Sequence, residues 1–186
     1  AAISSIFISG LDILMLKNYH GSLVTGYYQL SFQLISYTSL FFTVFSTLMF
    51  ENNGKYDLSV SWKKNYKLIT TGFYTIIPII ILLFIFSDNI ILIVAGEKFI
   101  PAVDIFKWQV FILFGIFSIN IMSSQWIVAG YFTQSTLLTL LVGLINMSLN
   151  YLFIPEFKAL GAVFSSLISY SLAFLINILF TFIYTY

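Results

Sequence analysis

Six apolar runs divide the chain, and each is bounded by a charge, a Gly or a Pro. A helix that crosses a membrane needs about 20 mostly apolar residues. The runs predict helices over residues 3–19, 26–50, 68–86, 105–130, 135–154 and 161–184. The pattern therefore predicts an all-α, polytopic membrane protein, in which six transmembrane helices form one unit over residues 1–186.

Two segments between these helices predict different environments. The apolar run at residues 90–95 is too short to span a membrane, so we expect it to lie at the interface. The polar stretch at residues 51–67 predicts the longest loop and holds four of the eight lysines. It is the better cytoplasmic candidate, although the other four lysines fall on the opposite side and weaken the charge argument. Pro78 predicts a kink in the third helix.

The second predicted helix carries a polar face. Its members recur at steps of 4, 3, 7 and 4 residues, which keeps them on one side of a helix: Gln29, Gln33, Ser36, Thr43 and Thr47. The pattern favours the wall of a hydrated cavity, and hydrogen bonding between packed helices is the alternative. Asn120, near the end of the fourth helix, is a further candidate for the cavity lining or for capping a helix end.

The fifth and sixth predicted helices each carry a face of small and amide residues. On the fifth these are Thr139, Gly143, Asn146 and Asn150, and on the sixth Ala162, Ser166, Ser169, Ala173 and Asn177. Small residues allow helices to approach closely, and asparagines can bridge them. We therefore expect Gly143, Asn146, Asn150, Ser166 and Ser169 to pack the two helices together, with substrate contact as the alternative.

Asp12 is the only acidic residue well inside an apolar run. A carboxylate at the membrane centre costs about 2.5–3.5 kcal/mol on insertion scales, so such residues often serve transport. Asp12 is a candidate for lining the cavity and for coupling transport to a proton or sodium ion. The alternative is a structural hydrogen bond near the interface.

The composition excludes several classes of protein. The chain is 60% hydrophobic and 8% charged with a mean hydropathy of +0.99, whereas a soluble domain carries about 25% charged residues. It lacks cysteine, its single histidine is His20, and no catalytic motif is present, so we expect neither an enzyme nor a metal site or cofactor. A net charge of +1 without a basic tract argues against nucleic acid as a partner.

Several stretches, in chain order, carry a family resemblance: Leu11-Asp12-Ile13-Leu14-Met15-Leu16 with Gly26-Tyr27-Tyr28, Ala95-Gly96-Glu97-Lys98-Phe99, Gln125-Trp126 with Gly130, and Asn146, Asn150, Ile154-Pro155-Glu156-Phe157, Gly161-Ala162 and Ser169-Tyr170. Together they resemble the C-terminal half of polysaccharide-biosynthesis flippases of the O-antigen (Wzx) type, within the multidrug/oligosaccharidyl-lipid/polysaccharide exporter superfamily. Two positions depart from the family pattern. Phe50-Glu51 stands where members usually have a Pro, and Lys158 or Ala159 stands where a hairpin Gly is frequent.

The resemblance implies one lobe of a two-lobe (6+6) transporter in the bacterial cytoplasmic (inner) membrane. Such flippases move undecaprenyl-diphosphate-linked oligosaccharide repeat units, for O-antigen, capsule or exopolysaccharide, by alternating access. The expected partners are membrane lipids, the lipid-linked oligosaccharide, the N-terminal lobe and other glycan assembly proteins. Since the family's first six helices have no counterpart in the sequence, we expect the chain to be a fragment that is inactive alone.

Two other functions fit the sequence less well. An exporter of drugs or of a lipid-linked cell-wall precursor would share the fold, because fold does not fix the substrate. A membrane-embedded glycan polymerase would need a sizeable outer loop with charged catalytic groups, and the chain offers only short loops without arginine.

Overall fold

The described part of the chain is helical apart from short turns. The computed structural model describes the main chain of residues 2–53 and 58–185, and side chains over residues 10–40, 70–120, 122, 126–127, 129–180 and 183. No strand occurs within these ranges. The elements are α1 (Ala2–Asn53), α2 (Leu58–Ile85), α3 (Ser87–Ala95), a 3-10 turn (Glu97–Phe99), α4 (Ala102–Gln109), α5 (Ile112–Val128) and α6 (Phe132–Thr185).

Helix α1 reverses direction at Gly21. In a straight helix, residues 16 apart are separated by about 24 Å, yet the hydroxyl of Tyr28 donates a hydrogen bond of 2.8 Å to the carboxylate of Asp12. Gly21 has φ 78° and ψ 177°, a conformation that a side chain disfavours. The helix therefore consists of two arms, residues 2–20 and 22–53, that fold back on each other.

Helix α6 reverses in the same way at Lys158, which has φ 54° and ψ −133°. Asn146 and Ser166, 20 residues apart, are joined by a side-chain hydrogen bond of 3.4 Å, whereas a straight helix would separate them by about 30 Å. Gly161 packs against the main chain of Phe153 so closely that a Cβ would overlap it. The arms are residues 132–157 and 159–185, and Lys158 between them has a positive φ that a glycine would adopt without strain.

The two reversals are tied together by His20. Its Nε2 donates a 2.7 Å hydrogen bond to the main-chain oxygen of Ile154. That oxygen lies four residues before the break at Lys158. The side chain next to one reversal thus binds the main chain next to the other.

Some predicted boundaries are wrong. In the loop predicted at residues 51–67, residues 51–53 belong to α1 and residues 58–67 belong to α2. A helix satisfies its own main-chain groups in water as well as in lipid. The helix predicted over 105–130 is two helices, α4 and α5, separated at residues 110–111. Helix α2 continues through Pro78 without a break.

The segment between α2 and α4 forms a bent corner. Helix α3 is bent by 68° from residues 70–85 of α2. It is fixed to α4 by an ion pair of 3.0 Å between Lys107 Nζ and Asp88 Oδ2. Gly96, with φ 78°, ends α3 and allows the turn toward α4.

Two apolar clusters hold the helices together. One joins the second arm of α1 with α2 to α5 and includes Ile35, Ile76, Ile91, Phe106 and Phe117. The other joins both arms of α1 with α4, α5 and α6 and includes Leu16, Tyr28, Ile112, Ile154 and Val163. The second cluster includes Tyr28, which also belongs to the polar groups described next.

Two helical stretches among the described residues are long and apolar enough to cross a membrane, namely Ala102–Asn120 and Phe132–Phe180. The bent pair Thr70–Ile85 and Ser87–Ala95 makes a third if it is counted as one span. The second stretch folds back at Lys158. These features are compatible with a membrane protein, and the count of six spans stays a prediction.

Candidate functional site

Asp12 lies at the centre of the arm pairs and is only 1% exposed. Its Oδ2 accepts a 2.8 Å hydrogen bond from the hydroxyl of Tyr28, and its Oδ1 accepts one from Nδ2 of Asn150. A buried carboxylate is costly unless polar partners surround it. Here a phenol and an amide supply them, from the second arm of α1 and the first arm of α6.

The hydrogen bonds continue from Asn150 toward the second arm of α6. Asn150 Nδ2 also donates to Oδ1 of Asn146 at 3.0 Å, and Asn146 Nδ2 donates to Oγ of Ser166 at 3.4 Å. We call Asp12, Tyr28, Asn146, Asn150 and Ser166 the Asp12 network. It joins all four arms of α1 and α6, so residues 138 positions apart in sequence meet in one polar cluster.

The Asp12 network is rich in oxygen atoms. The carboxylate, the two amide oxygens and the serine hydroxyl are the kind of ligands that hard cations prefer. Asn150 Oδ1 is buried and has no hydrogen-bond partner among the described residues. No group of three or more His, Cys, Asp or Glu side chains forms a metal cluster within the described ranges.

A cavity of about 190 Å³ adjoins the Asp12 network. Asp12, Tyr28 and Ser166 form part of its wall, together with Ser36 from α1 and Gln109 from the end of α4. At about 30 Å³ for each molecule, this volume corresponds to about six waters. A second, mostly apolar cavity of about 220 Å³ lies beside it and shares Ile112 and Tyr170.

The predicted cavity residues divide into two groups. Asp12 and Ser36 line this cavity. Gln29 and Gln33 are exposed and Asn120 is half-buried. None of the three belongs to the lining of this cavity. The side chains of two further members of the predicted face, Thr43 and Thr47, lie outside the described residues.

The residues predicted to pack the two arms of α6 together are buried or half-buried. Asn146, Asn150, Ser166 and Ser169 are buried, and Gly143 is half-buried. Ser169 Oγ donates back to the main-chain oxygen of Ser165 at 2.7 Å, so its hydroxyl is satisfied within its own helix. Asn150 does more than join the two arms, because it also holds the carboxylate of Asp12.

Gln109, which was not predicted from the sequence, borders the cavity and is 0% exposed. The spacing of the apolar residues around Gln109 could have identified it. Ala102, Ile105, Phe106 and Leu113 are buried with it at helical spacing. Gln109 is thus a polar residue on the apolar face of an otherwise amphipathic segment, whose charged residues lie elsewhere.

Tyr28 was also missed as a partner of Asp12. An aromatic residue near a helix end is typical of a membrane interface, so its spacing gave no reason to place it inside. The reversal at Gly21 brings it back over the first arm.

Comparisons of the chain with protein-family models, with curated proteins and with solved structures found no match.

Proposed function

We propose that the chain is one lobe of a flippase that moves polyprenyl-diphosphate-linked oligosaccharide across the bacterial cytoplasmic membrane. The observation that carries the proposal is a buried carboxylate, Asp12, beside a partly polar cavity within a bundle of apolar helices. Ionisable residues among membrane helices commonly mark a pathway for substrate or ions. The family resemblance along the chain supplies the substrate class.

The two parts of the substrate need different surroundings. The polyprenyl tail remains in lipid, while the glycan and the diphosphate need polar surroundings during their passage. Gln29 and Gln33 are exposed on this lobe. In the proposal they belong to the face that the second lobe covers. There they hydrate the glycan and the diphosphate, while Asp12 faces the glycan, as the lobes rock between two orientations.

The Asp12 network gives this cycle a place for a driving ion. A proton or a sodium ion at Asp12 would change the charge of a carboxylate that is held by three of the four arms, through Tyr28 and Asn150. A change of charge at such a point alters the relative stability of two arrangements of the arms. We expect transport to depend on the gradient of one of these ions.

The genetic test uses a protein that contains both lobes, in a strain that lacks its own flippase. Replacing Gln29 and Gln33 together by Leu removes the two amides of the polar face without removing bulk. We expect surface glycan to fall at equal expression. Gln134→Leu, the same chemical change at an exposed position of α6, is the matched control and should leave surface glycan unchanged.

Surface glycan that stays unchanged in the double variant would count against the proposal. A second experiment distinguishes the possible substrate classes. Purified protein in vesicles should move a fluorescent lipid-linked oligosaccharide between leaflets. Export of a cationic dye or of a lipid-linked cell-wall precursor instead would assign the chain to another branch of the same superfamily.

A further inference from the structure

Gln109 is a buried amide without a hydrogen-bond partner. It is 0% exposed, and neither its Nε2 nor its Oε1 has a partner among the described residues. An amide side chain can donate two hydrogen bonds and accept two. Buried groups left in this state are rare and costly. Gln109 borders the 190 Å³ cavity, but its amide is closed to a water-sized molecule as the side chain stands. A molecule inside the cavity becomes its partner once the side chain turns toward the cavity.

The charge of the cavity wall selects among possible occupants. Asp12 is the only carboxylic acid among the described residues of the wall, and no described Lys or His side chain contributes to it. An anion such as a diphosphate would meet a carboxylate with no compensating cation. A neutral molecule that both donates and accepts hydrogen bonds matches the amide of Gln109 and the serine hydroxyls of the wall.

The aromatic and apolar residues of the wall favour a ligand that contains a ring. The rings of Tyr28 and Phe32 are stacked at 6.3 Å between centroids, and both residues line the cavity with Tyr170. A binding site that combines aromatic surfaces with a few placed polar groups orients a small ligand. A sugar ring presents apolar C–H faces and hydroxyl edges, and its bulk is comparable to that of the roughly six waters the cavity can hold.

We propose that this cavity binds one neutral, hydroxyl-bearing sugar ring of the substrate and leaves the diphosphate outside. Gln109 donates to and accepts from the hydroxyls of the ring after its side chain turns toward the cavity, and the hydroxyls of Ser36 and Ser39 add further contacts. This inference rests on the proposed flippase function and narrows it. The lobe recognises the glycan, and the diphosphate is held elsewhere.

The test measures binding of named probes to the purified two-lobe protein in detergent. Methyl glucoside, the methyl glycoside of N-acetylglucosamine and inorganic pyrophosphate are compared by saturation-transfer NMR. We expect transfer to at least one glycoside and none to pyrophosphate. Gln109→Leu should weaken glycoside binding about tenfold, the ordinary effect of losing one or two hydrogen bonds. The control Gln134→Leu should not weaken it.

A second readout separates loss of the site from loss of the fold. Gln109→Leu removes an unpartnered buried amide, so its thermal midpoint should be equal to or above that of the wild type. Absence of glycoside transfer at tens of millimolar, or binding unchanged in Gln109→Leu, would overturn the inference and leave a cavity for water only. Pyrophosphate that competes with the glycoside would also overturn it.

The inference and the proposed function fail separately. If vesicles move the lipid-linked oligosaccharide at the same rate with Leu at position 109, the flippase stands and the sugar site does not. If glycosides bind in a manner that depends on Gln109 while no lipid-linked substrate moves, the sugar site stands and the flippase function does not.

Discussion

Replacing Lys158 by Gly should stabilise the protein. Lys158 reverses α6 with φ 54° and ψ −133°, and it is the only described residue other than Gly that has a positive φ. Such a conformation costs a side-chain-bearing residue about 1–3 kcal/mol. Glycine avoids this cost but loses about 0.5–1 kcal/mol through the greater freedom of the unfolded chain. Because the Lys158 side chain is exposed, we expect a net gain of about 1 kcal/mol.

The measurement is equilibrium unfolding of the purified chain in mixed micelles as the fraction of denaturing detergent is raised, followed by tryptophan fluorescence. Lys17→Gly is the matched control, since Lys17 is also exposed but lies within the regular first arm of α1. There the same substitution should cost about 1 kcal/mol. The two variants should therefore differ by about 2 kcal/mol, with opposite signs relative to the wild type.

A third variant, Lys158→Ala, removes the charge and the long side chain but keeps the Cβ. It should change the free energy of unfolding by no more than about 0.5 kcal/mol, the usual range for a surface substitution. If Lys158→Gly proves as destabilising as Lys17→Gly, or no better than Lys158→Ala, the reversal does not hold position 158 in the left-handed region and the reasoning is refuted.

Three further predictions concern the interior and the surface. Gly161→Ala should destabilise the α6 reversal by about 1–3 kcal/mol, because its Cβ overlaps main-chain atoms that cannot move aside, and detergent unfolding at a lower midpoint would show this. Tyr28→Phe removes one hydrogen bond to Asp12 and should cost about 0.6–1.7 kcal/mol, the range found between membrane helices; an unchanged midpoint would contradict the Asp12 network. Lys107→Ala should change stability by less than about 1 kcal/mol, and the effect should fade as salt is raised, since its partner Asp88 is largely exposed.

The helical character of the chain could be predicted from local pattern. Long apolar runs with polar faces at steps of 3 and 4 residues specify helices, and the reversal between the last two runs was placed within a few residues of Lys158. Helix ends were less predictable. The polar stretch at residues 51–67 is almost entirely helical, because hydrogen bonds within a helix form regardless of whether its side chains meet lipid or water.

The candidate site could be predicted only in part. Asp12 and Ser36 were expected to line a cavity, and the structure places both in the wall of one. Gln29 and Gln33 belong to the same helical stripe by their spacing but are exposed. Helical periodicity predicts which residues share a face. The packing of neighbouring helices decides which residues of that face are buried.

The sequence by itself determined the helices, their apolar character and the polar faces, since these depend on side chains within one or two turns. The tertiary structure alone decided that Asp12 meets Asn150, that Tyr28 folds back over the first arm, and that Gln109 borders the same cavity. The turn at Gly21 brings Tyr28 to Asp12, and the turn at Lys158 brings Ser166 to Asn146. The contact between Asp12 and Asn150, 138 positions apart, depends on how the two arm pairs pack against each other, and no local pattern encodes that packing.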